Sequence, residues 1–335
     1  MKFLRITFVC VLLSFLLFCG FFAAFLFLPG GASQEPVDIK IEPGEPFSSV
    51  VQKLKDSGVI SNKTFFSLAA TLTARDKKIH WGLYRFDLPV APWEVLDRMA
   101  QGKGVFRRVT IPEGLTVNQI AEVLTQAGIV DKDRFLKQAA DPSLLTSLAL
   151  ADEGIEGYLF PDTYSFVPFV SEKDVVAAMV ERFRKAFNSA MKQQVEDLDL
   201  TPHEIVTLAS LIEKETAIQS ERPLVSAVFH NRLRLNIPLQ SDPTVIYGIK
   251  NFSGNLTRQD LQSQTPHNTY RIRGLPPTPI CNPGLSALEA ALNPVPVPYL
   301  YFVSKNDGSH VFSVTLVEHN QAVRKYQIDA QRPAR

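Results

Sequence analysis

Cysteine is scarce in this chain, at three in 335 residues. Cys10 and Cys19 fall inside one long apolar run, so Cys281 stands alone in the remainder and no disulfide can form there. Between Pro279 and Pro283, Cys281 reads as a small buried packing residue rather than a nucleophile. An excess of either charge is lacking too. Lys plus Arg total 35 against 34 Asp plus Glu, a net charge of +1, which gives no broad field for nucleic acid or acidic polymers. A ligand must be gripped by local contacts, and nucleic acid is not an expected partner. Metal-ligand spacing is also missing. His203-Glu204 opens like a zinc-protease helix, but the position four residues after His203 is Thr207. His80, His230, His267, His310 and His319 show no ligand spacing either, so no metal and no other cofactor is expected. Ser189 and Lys192 match the S-x-x-K spacing of penicillin-binding enzymes, but no K-T-G follows.

What the chain does have is an uncharged apolar run from Ile6 to Leu28, long enough to cross about 30 Å of hydrocarbon as a helix. Lys2 and Arg5 precede it and Pro29-Gly30-Gly31 follow, so the positive-inside rule leaves residues 1–5 in the cytoplasm. The expectation is a single-pass anchor over residues 6–28 in the cytoplasmic (inner) membrane, with the remainder extracytoplasmic, that is, periplasmic. Gly30 and Ala32 favour a cleaved signal peptide instead, but the run is longer than a usual signal core. Cys19 is a poor lipoprotein cysteine because Phe18, not a small residue, precedes it.

A chain of this length exceeds what one core usually holds. An internal repeat organises its first half. The segment from Ile41, IEPGEPFSSVVQKLKDSGVI, lies in register with IPEGLTVNQIAEVLTQAGIV from Ile111, matching Gly44 to Gly114, Leu54 to Leu124, Gly58 to Gly128 and Phe65 to Phe135. Each copy predicts a strand, a turn at Pro and Gly, a helix stopped by glycine, and a second helix. Between the copies, Trp81 to Phe86 alternates like a strand and Pro92 to Met99 reads as a short helix. The arrangement resembles LysM-type modules, which bind N-acetylglucosamine polymers; a module that merely orients the rest fits the pattern as well. The Gly-, Pro- and aromatic-rich stretch Glu153 to Tyr164 looks like a linking loop, giving a region over residues 36–150 and a second domain over 151–335. In the latter, helical patterns run over Lys173 to Glu196 and from Pro202, and a hairpin turns through Asp307-Gly308 between Tyr299–Val303 and His310–Val314. The fold class is α+β: a transmembrane helix, a LysM-like α+β region and a mixed α/β domain.

One helix carries the candidate chemistry. Thr201 at the cap, Pro202 and Glu204 make a capping-box start, after which Ile205, Leu208, Leu211 and Ile212 share a face. At about 100° per residue Glu215 falls on that apolar face, whereas Glu213 lies about 160° away, at the edge or in solvent. A carboxyl held against apolar groups has its pKa raised from about 4.3 towards 6, as a general acid requires. A glutamate near a helix end is more often simply solvated, and helix geometry alone leaves both readings open.

The span LASLIEKETAIQSERPLVSAVFHNRL from Leu208, PLQSDPTVIYG ending at Gly248 and TPHNTYRIRGLPPTPICNPG ending at Gly284 closely resembles the YceG-like endolytic murein transglycosylases. The likeness extends to Gly114–Thr116, to EGYLFPDTY at Glu156–Tyr164 and to PYLYFV at Pro298–Val303, with one departure at Thr278, where glycine is common. It implies that Glu215, the second glutamate of E-K-E-T, is the catalytic acid/base. The implied reaction cuts the β-1,4 bond between N-acetylmuramic acid and N-acetylglucosamine within strands, leaving 1,6-anhydro ends. Gln240, Asp242, Tyr247, Asn268 and Tyr270, polar residues of the matched segments, are the candidate sugar-binding groups, although Asp242 would serve as well as a helix cap and Asn268 in a turn. Glycan strands and the membrane are the implied partners, with peptidoglycan synthases a further expectation from the family. A lysozyme-type hydrolase and a non-catalytic glycan-binding scaffold are the alternatives.

Overall fold

A computed structural model describes residues 2–29, 35–249, 252 and 254–329, with side chains from Ile6 onward. Gly30, Gly31 and Ala32, weighed above for their place beside the apolar run, lie outside the described residues. The chain forms two compact units, residues 1–107 with 165–169 and residues 108–164 with 170–335.

Unit 1 opens with helix α1 (Lys2–Phe27), of which Ile6–Phe27, 22 residues, is apolar and long enough to cross a membrane. It continues through β1 (Val37–Ile41), α2 (Phe47–Asp56), α3 (Lys63–Leu72), β2 (Gly82–Phe86) and α4 (Pro92–Ala100). β1 and β2 run antiparallel, Ile39 opposite Tyr84. Alternation sends Ile39, Ile41, Tyr84 and Phe86 inward onto Val50, Leu54, Phe66, Val95 and Met99, which form one apolar core. Phe65 on α3 meets the rings of Phe18, Phe21, Phe22 and Phe25 of α1.

The second repeat follows: β3 (Arg107–Thr110), α5 (Val117–Gln126), α6 (Lys132–Ala139), a short α7 (Pro142–Ser147) and β4 (Thr163–Phe166), the two strands forming a second ladder. The expected order of strand, helix and helix is present in both copies. The matched glycines even share backbone geometry, with φ of 75° at Gly44 and 76° at Gly114, and 73° at Gly58 and 65° at Gly128. Positive φ at these turns is why glycine recurs there.

Unit 2 then adds α8 (Glu172–Ala186), α9 (Ser189–Val195), α10 (Pro202–Glu215), α11 (Arg222–Arg234), α12 (Asp242–Gly248) and α13 (Leu285–Leu292). The continuous helical pattern predicted from Lys173 breaks at Phe187, and Asn188 caps a new helix. The chain closes with the hairpin β5 (Tyr301–Ser304) and β6 (His310–Ser313), Tyr301 opposite Ser313, and α14 (Leu316–Val323). α10 is the central element. Every residue from Ile205 to Ile212 is buried, so the one-sided stripe read from sequence is a helix enclosed on all sides, packed chiefly on α13.

Candidate active site

The capping box predicted at Thr201 and Glu204 is formed, and it sets the register that ends α10 at Glu215. Glu215 emerges there at the base of a cleft of about 370 Å³. The walls are Arg232 from the end of α11, Leu239, Gln240 and Asp242 from the turn into α12, Tyr270, the hairpin residues Phe302, Ser304 and His310, and His319 with Val323 from α14.

One oxygen of Glu215, Oε1, accepts a hydrogen bond from the Ser241 hydroxyl. Burial pushes the Glu215 pKa from 4.5 up to about 7; the Ser241 bond and the charge of Arg232 oppose that rise, and the charge of Asp242 adds to it.

Ser241 is itself well held. Its N–H donates to Thr269 Oγ1 at 2.9 Å, its carbonyl accepts from Thr244 Oγ1 at 2.6 Å, and the two threonine hydroxyls meet at 2.8 Å. Gln240 adopts a left-handed φ of 53°, and its N–H donates to the Thr269 carbonyl at 3.1 Å. That conformation costs an ordinary residue about 1–3 kcal/mol and persists only where its surroundings impose it. Arg232 helps impose it, donating through Nη1 to the carbonyls of Pro238 and Leu239 at 3.1 and 2.9 Å and to Gln240 Oε1 at 3.3 Å. Its Nε donates to Leu300 O at 2.7 Å, so one guanidinium joins the cleft turn to the hairpin.

Of the sugar-binding candidates, Gln240, Asp242 and Tyr270 line the cleft together with Glu215, and the Tyr270 hydroxyl donates to Asp242 Oδ1 at 2.6 Å. Asp242 begins α12 without capping it; Ser241 holds the cap position. Tyr247 and Asn268 do not line the cleft. The Tyr247 hydroxyl donates to Glu156 Oε2 at 3.3 Å. Asn268 is fully buried; its amide donates to Ser263 O at 2.7 Å and its Oδ1 accepts from Tyr270 N–H, the turn chemistry that sequence offered as its other role.

Glu213 corrects an expectation. Sequence geometry put it at the helix edge or in solvent, yet its side chain is 6% exposed. It pairs with Arg222 at 2.7 Å and accepts the Gly284 N–H at 3.0 Å. Burial raises its pKa, while the Gly284 N–H and Arg222 hold it down. Cys281 is fully buried against Ser210, as its proline-flanked position predicts.

The sequence assigns no role to two cleft residues, Arg232 and His310, or to one buried carboxyl outside the cleft, Glu156. Arg232 lies near the end of the quoted span from Leu208, but nothing in sequence sets it apart from the other two of the three arginines in its helix. His310 looked like a strand residue. Glu156 sat in an apparent linker, yet its carboxylate accepts from Val117 N–H at 3.2 Å, Asn282 Nδ2 at 2.9 Å and Tyr247 OH. Burial lifts its pKa from 4.5 to about 7, with those three donors opposing. Asn282 further accepts the Leu159 N–H and donates to Leu115 O, so the three segments around residues 115, 156 and 282 meet at one polar knot.

Comparison with known proteins bears on what this cleft can do. A model of the YceG-like family matches residues 39–325. A Bacillus subtilis endolytic murein transglycosylase is 31% identical over 310 residues, covering 88% of this chain and 86% of the relative. A Streptococcus pneumoniae endolytic murein transglycosylase is 28% identical over 330 residues, and there the match spans 59% of the relative's length. The crystal structure of a YceG-like protein from Listeria monocytogenes superposes with a TM-score of 0.60 at 32% identity, covering 86% of this chain and 99% of that one.

Proposed function

The chain belongs to the YceG-like family, and from that membership and the cleft around Glu215 we propose that it is an endolytic peptidoglycan transglycosylase. The observation that carries the reading is Glu215 itself: a carboxyl titrating at about 7, one oxygen tied to Ser241, opening on a polar cleft. Such a group is part protonated and part ionised near neutrality, so it can serve as acid and then as base.

The proposed reaction begins with Glu215 protonating the glycosidic oxygen between N-acetylmuramic acid and N-acetylglucosamine, and the C1–O bond breaks. The substrate's own acetamido group shares the positive charge that develops at C1. The muramic C6 hydroxyl then attacks C1 and its proton passes to the Glu215 carboxylate, closing a 1,6-anhydro ring without consuming water. Gln240, Asp242 and Tyr270 are the proposed sugar-binding groups. Tyr247 and Asn268 lie outside the cleft lining, Tyr247 bonded to Glu156 and Asn268 to the Tyr270 N–H.

A hydrolase of lysozyme type is the second reading, because Asp242 supplies another carboxylate to the same cleft and two carboxylates are what such an enzyme uses. The Tyr270 hydroxyl already bonded to Asp242 weighs against Asp242 as a nucleophile. Mass spectrometry of digested peptidoglycan separates the readings. Anhydromuramyl ends are expected, reducing ends alone would establish the hydrolase, and intact strands would leave a scaffold.

The rest of the chain extends the proposal. Residues 6–28 are read as an anchor in the cytoplasmic membrane with the N-terminus inside, which would set the cleft outside, where nascent strands and their synthases lie. Cuts there would trim or terminate nascent strands. The first repeat copy supplies the strand–helix–helix–strand order of a LysM-like module, β1 and β2 pairing around α2 and α3, which supports glycan binding by residues 36–150; the second copy adds α7 before its closing strand.

A further inference from the structure

Glu221 and His310, to which the sequence assigned no role, meet across the fold. Glu221 lies just before α11, and His310 opens β6, 89 residues later. Glu221 Oε2 meets His310 Nδ1 at 2.7 Å, and Glu221 Oε1 accepts the His310 backbone N–H at 2.9 Å. Thr216, the residue after Glu215, donates its hydroxyl to the same carboxylate at 3.3 Å. Burial alone would raise the Glu221 pKa, but the bonds from His310 overcome it and hold the carboxyl below its ordinary value, so it is ionised near neutrality. An ionised carboxylate can only accept, which requires Nδ1 to carry a proton. The ring plane is fixed as well, its edge against Phe302 at 5.6 Å between centroids.

The consequence lies at the other nitrogen. Nε2 has no protein partner among the described residues, and His310 lines the cleft that holds Glu215. We propose that His310 is a second substrate-contacting residue: its Nε2 accepts a hydrogen bond from a sugar hydroxyl of the glycan strand beside the bond that Glu215 cleaves, and Glu221 is the positioning residue that fixes its tautomer and plane. The assignment rests on the transglycosylase reading of Glu215. Carbohydrate hydroxyls suit such an acceptor, since each offers one donor at a fixed place on the ring.

The test is steady-state cleavage of purified glycan strands by the full chain and its variants. Glutamine can present its amide oxygen near the place of Nε2, whereas alanine presents nothing. His310→Ala is expected to lower kcat/KM about tenfold, the size of one lost neutral hydrogen bond, and His310→Gln is expected to stay within about threefold of the parent. Glu221→Gln, which keeps an acceptor but frees the tautomer, falls between them. Because Glu221 acts through His310, the double variant Glu221→Gln/His310→Ala should be no worse than His310→Ala alone. Full activity in His310→Ala overturns the proposal. Equal losses in His310→Ala and His310→Gln with a shared drop in melting temperature, or additive losses in the double variant, show a fastening role and overturn it too. Glu215→Gln in the same assay separates the two levels: full activity there removes the underlying reading, while its loss beside fully active His310 variants removes only this inference.

Discussion

The proposed role of Glu215 sets two requirements that usually oppose each other: enough burial to keep the carboxyl partly protonated near neutrality and enough opening to reach a sugar. The place of Glu215 as the last residue of a buried helix meets both, since the backbone is enclosed and the carboxyl looks into the cleft. Glu215→Gln keeps shape and the Ser241 contact but cannot titrate. Cleavage should fall at least about a hundredfold with an unchanged melting temperature, and retained activity would move the chemistry elsewhere. Glu156 offers a contrasting test because it does not line the cleft. Its folded pKa, about 7, is raised above the ordinary 4.5, so its contribution to stability is full below 4.5 and is lost as pH rises through 7. Glu156→Gln removes that titration. Between pH 4.5 and 7 the stability of Glu156→Gln relative to the parent should therefore climb by about 1.4 kcal/mol per pH unit, read from urea denaturation. A flat difference would mean that the carboxyl titrates normally in the fold. Sequence periodicity could point Glu215 inward because one helix settles that question. It could not see the Ser241 hydroxyl or the Arg232 guanidinium, because those arrive from segments whose approach depends on the whole tertiary fold.

At the scale of elements, most of what was legible was local. The repeat, the capping box on α10 and the terminal hairpin all follow from spacings of a few residues, and each is present. The enclosure of Glu213 was not legible, since helix geometry gives an angle around an axis but not what packs on each side; here Arg222 and Gly284 close over it. The repeat permits a comparison within one molecule. Gly44 and Gly114 take nearly the same positive φ, and a Cβ would meet nothing within 4 Å at Gly44 and the Glu213 Cγ at 3.5 Å and Lys214 Cδ at 3.8 Å at Gly114, both ordinary contacts. Space is therefore not what excludes a side chain. Gly44→Ala and Gly114→Ala should each destabilise the unit that holds them by about 1 kcal/mol through backbone strain alone. A much larger loss at Gly114, seen as a lower midpoint in thermal unfolding, would show that the turn beside Glu213 is under a constraint that the first copy lacks.

For the whole molecule, the division of the chain separates two tasks. The proposed anchor belongs to unit 1, where the Phe65 ring packs among four phenylalanines of α1 and Phe27 meets Trp93. Every residue that lines the Glu215 cleft belongs to unit 2. Removing α1 should thus affect where the enzyme acts and how firmly unit 1 holds together, not the chemistry. A chain that begins at residue 35 loses the aromatic contacts at Phe65, each worth about 0.5–1.5 kcal/mol, so the melting temperature of unit 1 should drop. Its kcat on purified, solubilised strands should stay within about threefold of the full chain, because no group that touches the substrate has moved. In cells the same chain should leave the membrane fraction, while the full chain should resist extraction by high salt and alkaline carbonate, as a spanning helix does and a surface-bound protein does not. A full-length protein washed off by carbonate would refute the anchor. A collapse of activity on solubilised strands would instead mean that α1 supports the cleft, and that the two tasks are not separate.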